Sequence, residues 1–169
     1  MVDIKVHCSH DAIVNVATLK PNPLNPNMHP PEQIERLAEI IKKTGWRAPI
    51  TVSNLSGMIV KGHGRLMAAE LIGCKTVPVD YQDYENESTE LADLMADNRI
   101  AELSEINNKK LLNLFETFDT GEVDFEQSGY DEKFYKELAH SFDEFEKEEE
   151  KIKAKKVLEC PQCGFEIEV

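Results

Sequence analysis

The stretch "IVKGHGRLMAAELIG", residues 59–73, constrains this chain more than any other. A β-branched run ends at Lys61, two glycines bracket His63, and apolar residues at helical spacing begin at once. A strand, a tight turn and a helix in such close succession exclude an all-helical bundle and require a mixed fold. The first amides of a helix have no intrahelical partner and sit at its positive end, so they attract anions. Glycine allows close backbone approach to a phosphate, and Arg65 can donate two parallel hydrogen bonds. His63 can bind phosphate or exchange a proton near neutral pH. The alternative is a glycine turn that carries a solvent-facing arginine.

The surrounding segments extend the pattern. "VDIKV" and "AIVNVATL" alternate weakly and read as short strands. "KPNPLNPNMHPP" holds five prolines in twelve residues, which excludes helix and central strand. "PPEQIERLAEIIKKTG" predicts a helix with Ile34, Leu37, Ile40 and Ile41 on one face. "PITVSNLSGMIVKG" predicts a β-hairpin around "NLSG", and "KTVPVDY" a further strand. "STELADLMADNRIAEL" puts Leu91, Leu94 and Met95 on one helical face, with Asn98 on the same face. An amide on an apolar stripe needs partners, either backbone groups or a ligand. Two more helices follow, in "NNKKLLNLFETFDTG" and "YDEKFYKELAHSFDEF", and then a nearly apolar-free "EKEEEKIKAKK".

Charge narrows the function classes. The net charge is −13, divided as −3 over residues 1–100 and −10 over residues 101–169. Acidic helices cannot displace the counterions of a polyanion, so DNA contact requires a local patch, a metal or a partner protein. No apolar run is long enough for a membrane helix, and the first residues lack a signal-peptide pattern, so a cytoplasmic protein is expected.

Of the four cysteines, Cys160 and Cys163 form a CPxCG turn between two alternating strands, the form of half a zinc ribbon. Two further zinc ligands would come from a second chain or from His7, Cys8 and His10. A reduced, empty knuckle is the alternative. Cys74 reads as a buried small residue, and His29 and His140 as surface residues.

Five segments in order, "LKPNPLNPN", "EQIERLAEIIKKTGWRAPITV", "MIVKGHGRLMAAELIG", "VPV" and "LMADNRIAEL", resemble the N-terminal domain of the ParB family. That domain shares its fold with sulfiredoxin, and the version here is similar to domains of phages and mobile elements that stand beside or within DNA methyltransferases. The resemblance implies an α+β fold with a small mixed sheet flanked by helices. It also implies binding of CTP or ATP with Mg²⁺. By position, Gly62, His63, Gly64 and Arg65 would line the triphosphate. Gly45, Arg47 and Pro49 would form the neighbouring wall, joined by Asn98 and Arg99. Asp97 and Asn98 would stand near Mg²⁺.

The departures are equally informative. His63 stands where relatives often carry Glu or Cys, which removes a carboxylate-based transfer and sulfiredoxin cysteine chemistry. No basic helix-turn-helix follows, so a centromere-binding segregation protein is not expected. The expected organisation is a nucleotide-binding domain over 1–104, an acidic helical extension over 105–156, and a zinc-knuckle hairpin over 157–169. The expected function is a nucleotide-dependent accessory or switch in DNA transactions, with a methyltransferase or a second copy as partner. Two alternatives stand beside it. One is an NTP hydrolase, phosphotransferase or metal-dependent nuclease using His63 and Asp97. The other is a non-catalytic adaptor acting through the acidic helices and the knuckle.

Overall fold

Prolines suit the first turn of a helix, where a missing amide costs nothing, and in the computed structural model helix α1 runs Pro31–Thr44 directly after Pro30. The structure describes residues 4–118, 125–153, 157–159 and 166–168. α1 buries Ile34, Ala38 and Ile41 and ends at Gly45, whose φ of 76° is left-handed. A Cβ on Gly45 would lie 2.5 Å from the Lys5 carbonyl oxygen. Only glycine lets the chain pass that close to the N-terminal segment.

The sheet has four strands, β1 (Ala12–Asn15), β2 (Ile50–Ser53), β3 (Ile59–Lys61) and β4 (Thr76–Gln82). Their order is β1-β4-β2-β3. β2 and β3 form the expected antiparallel hairpin, and β4 pairs antiparallel with β1 and parallel with β2. The chain reaches the parallel position through α2 (His63–Ile72), which packs with α1 over the sheet. Trp46, Ile50, Ile59, Ala68, Val77 and Val79 are almost wholly buried between these layers. At roughly 1.5–3 kcal/mol for each large apolar side chain, this is where the fold's stability lies.

Several local expectations shift. Of the "VDIKV" segment, the described residues 4–6 contribute one bridge, Val6 to Trp46, in place of a strand. β1 stops at Asn15 because its side chain accepts the Ala17 amide at 2.9 Å and starts a 3₁₀ turn. Helix α3 (Glu87–Glu102) begins on a capping box between Asn86 and Thr89 and buries Leu94, while Met95 is 57% exposed. Its apolar stripe is therefore narrower than the spacing alone predicts.

Two further helices, α4 (Asn108–Phe118) and α5 (Glu132–Lys153), form the acidic extension. It docks on α1. Arg36 donates to the Gly129 carbonyl and pairs with Asp131 at 3.2 Å. Phe115 is buried, with Tyr130 and Tyr135 edge-on against its ring. The final strands, Val157–Glu159 and Glu166–Glu168, pair antiparallel. Cys160 and Cys163 lie outside the described residues. Among those described, no helix is long and apolar enough to cross a membrane.

Candidate functional site

β3 delivers the chain at Lys61 into Gly62, which adopts φ 96° and ψ 27° at the head of α2. No side chain caps that helix start. A Cβ on Gly62 would meet the Arg65 Nη1 at 2.8 Å, so the missing side chain is what lets Arg65 fold back over the turn. There its Nη1 donates to the Pro49 carbonyl at 2.6 Å. Burial lowers the Arg65 pKa, opposed by the charges of Asp97 and Cys8, yet a guanidinium stays protonated.

His63 opens α2, and its Nε2 accepts the backbone N–H of Asn22 at 3.1 Å. That bond assigns the proton of the neutral ring to Nδ1. Burial, and then the neighbouring His29, hold its pKa below the usual 6.5. In this arrangement His63 pins the proline-rich loop, and Nε2 is engaged as an acceptor. The loop is itself rigid. The Asn22 side chain accepts the Leu24 amide at 2.9 Å, and that of Asn25 accepts the Asn27 amide at 3.3 Å.

A cavity of about 250 Å³ opens over the turn. Gly62, His63, Gly64, Arg65, Asp97 and Asn98 all line it, and Lys61, His29, Gln33 and Leu37 are among the residues of its remaining wall. Asp97 is its one carboxylate among the described residues. Asn98 is half-buried and gives its Nδ2 to the Leu94 carbonyl of its own helix at 3.2 Å, so its helix meets that donor's need.

Other expected residues stand apart. Gly45 and Arg47 line a separate cavity with Lys42, Thr44 and His7, and Arg47 donates to the Thr44 carbonyl at 3.1 Å. Pro49 joins the glycine-turn site through the carbonyl that Arg65 binds. Arg99 is exposed and pairs with Glu102 at 2.9 Å.

Lys61, Asn22 and His29 were not singled out by motif. His29 is half-buried, with its Nδ1 3.0 Å from Gln33 Oε1, and a Cβ on Gly64 would sit 3.4 Å from its ring. The sequence signal for it is indirect. A rigid loop ending two residues before α1 must carry His29 past the glycine turn.

Lys61 organises the acidic side. Its Nζ lies 2.9 Å from Asp93 Oδ1 and 4.0 Å from Asp97 Oδ1. The Tyr84 hydroxyl donates to the other Asp93 oxygen at 2.8 Å. Burial pushes the Asp93 carboxyl up, but the bonds from Lys61 and Tyr84 and the lysine charge outweigh it, leaving the pKa low. Burial and the bond to Asp93 raise the Tyr84 pKa, so the phenol stays protonated.

The donor set does not fit a magnesium ion held by the protein. An ammonium stands where Asp93 and Asp97 converge, so the carboxylates that would draw the ion are already neutralised. Among the described residues no three His, Cys, Asp or Glu side chains are grouped for a metal. The His10 ring meets the Cys8 carbonyl at 2.9 Å, and the expected zinc partners of this segment, Cys160 and Cys163, lie outside the described residues.

The chain is similar to several known proteins. YnaK of Escherichia coli K12, a ParB-like nuclease domain-containing protein, is 43% identical over 61 residues, covering 36% of this chain and 69% of its own. The C-terminally truncated chromosome-partitioning protein ParB of Caulobacter crescentus, complexed with CTP-γ-S, superposes with a TM-score of 0.55 at 23% identity. The match covers 65% of this chain and 63% of that protein's chain, and what it shows is a shared fold. Sulfiredoxin of Arabidopsis thaliana aligns over 50% of this chain and 98% of its own at 18% identity, with a TM-score of 0.40 that is too low to carry an argument. The ParB N-terminal domain matches residues 5–99, a stretch that takes in the proline loop, the glycine turn and most of α3. The chain therefore belongs to the ParB N-terminal domain family.

Proposed function

We propose that the glycine-turn cavity binds the phosphates of a nucleoside triphosphate, CTP or ATP, and that the protein is a nucleotide-dependent accessory in DNA transactions. The observation that carries this reading is the uncapped start of α2, lying with Arg65 and Lys61 on one cavity wall. Unpaired amides at a positive helix end, one guanidinium and one ammonium are the groups that polyphosphate recognition uses. The cavity is at the small end for a whole ligand, so it suits the phosphates, with ribose and base lying beyond it. The CTP-γ-S complex of the Caulobacter relative supports the ligand class.

Residues 1–104 would form the nucleotide-binding unit. Residues 105–156 and the hairpin over 157–169, with zinc on Cys160 and Cys163, would supply the surface for a partner such as a methyltransferase or a second copy. The net charge of −13 favours DNA contact through that partner or a local patch.

Calorimetric titration with each of the four NTPs tests the reading. Binding that Arg65→Ala abolishes is the expected result, and no heat at millimolar nucleotide would end it. The second reading is phosphodiester cleavage in the same cavity, favoured by the ParB-like nuclease domain for which YnaK is named. Product release that persists unchanged in both His63→Ala and Asp97→Asn would remove it.

A further inference from the structure

We infer that Lys61 takes the place of a divalent cation at the phosphate end of the cavity, so that nucleotide binding there needs no magnesium. This rests on the cavity being a nucleotide site. Two carboxylates converging from successive turns of one helix, Asp93 and Asp97, make the arrangement that gathers a divalent ion when nothing else neutralises it. Here the Lys61 ammonium lies within ion-pair distance of both, at 2.9 and 4.0 Å.

The arrangement is held from several sides. Tyr84 fixes the second Asp93 oxygen at 2.8 Å, and Lys61 leaves β3 directly before the glycine turn, so its backbone cannot drift. Its side chain is only 27% exposed, against 48% for Asp97. A magnesium ion drawn to these carboxylates would have to expel the ammonium or sit beside it, and like charges that close repel strongly in a partly desolvated site. An ammonium has three N–H donors. Asp93 takes one, and the face that lines the cavity serves a phosphate oxygen. With Lys61 and Arg65 offsetting Asp93 and Asp97, the positive end of α2 remains for the anion.

The test is binding of CTP and ATP by calorimetry in excess EDTA and in millimolar Mg²⁺, on wild type, Lys61→Met and Lys61→Arg. Wild type is expected to bind within about threefold of the same affinity in both buffers. Lys61→Met should lose about tenfold or more in EDTA, the scale of one charged hydrogen bond. It should recover in Mg²⁺, because the freed carboxylates can then hold the metal. Lys61→Arg, which keeps the charge if the methionine variant fails to fold, should bind in EDTA. Wild-type binding that vanishes in EDTA would overturn the inference and leave the nucleotide reading intact. Unchanged binding by folded Lys61→Met in EDTA would overturn it too. No binding in either buffer would remove the nucleotide reading and this inference with it.

Discussion

The backbone amide of Asn22 donates to the Nε2 of His63 across 41 residues of chain, and this one bond joins the proline-rich loop to the glycine turn. It exists only while Nε2 keeps its lone pair. The folded pKa of His63 lies below 6.5, so its contribution to stability is complete above that value. It is lost as pH falls from there through the lower folded pKa, because the unfolded chain takes up the proton first. Urea unfolding between pH 8 and pH 5 should show wild type losing more stability than His63→Gln over that window. Parallel curves would contradict the assignment.

Gly62→Ala places a methyl group in left-handed backbone and against Arg65. The conformation alone costs about 1–2 kcal/mol, and Arg65 must also leave the Pro49 carbonyl. The expected outcome is a lower urea midpoint with an unchanged slope, together with weakened nucleotide binding.

Arg65→Lys keeps the charge but loses the fork that reaches the Pro49 carbonyl and a phosphate at once. Nucleotide affinity is expected to fall about tenfold, and loss of the Pro49 carbonyl bond should also lower the melting temperature. Titration beside a thermal scan separates the two effects.

Glu90 is 2% exposed and takes hydroxyl bonds from Ser53 and Ser56, each at 2.6 Å. Those serines also receive the amides of Leu55, Ser56 and Met58, so the carboxylate anchors the whole β2–β3 turn to α3. Glu90→Ala should cost about 2–3 kcal/mol in denaturant unfolding, and early exchange of amides 55–58 would locate the damage.

Arg36→Ala cuts the tie between α1 and the extension at Gly129 and Asp131. The ion pair is about half exposed on both sides, so global stability should drop by less than about 1 kcal/mol. Limited proteolysis is the sharper probe, with faster cleavage before α5 expected.

The glycine turn, the hairpin and α1 were legible because each is dictated by neighbours in sequence: a β-branched run, a turn residue, an amphipathic stripe. What escaped was decided by distant packing. A glutamate early in a helix reads as a charge near the positive end, and nothing local tells that Glu90 plugs a turn 34 residues away. His29 shows no local constellation, and only the loop's rigid path carries it to Gly64. Gly45 resembles part of a nucleotide wall, yet the closeness of the Lys5 carbonyl is reason enough for a glycine. Arg36 lies on the charged face of α1, and its carbonyl partner at Gly129 belongs to a segment whose docking no periodicity announces.

α1 serves two neighbours at once. Gln33 and Leu37 wall the cavity, and Arg36, on another face of the same rod, grips the acidic extension. The acidic extension and the cavity therefore share one support, and a change that tilts this rod would move the Asp131 anchor and the cavity wall together.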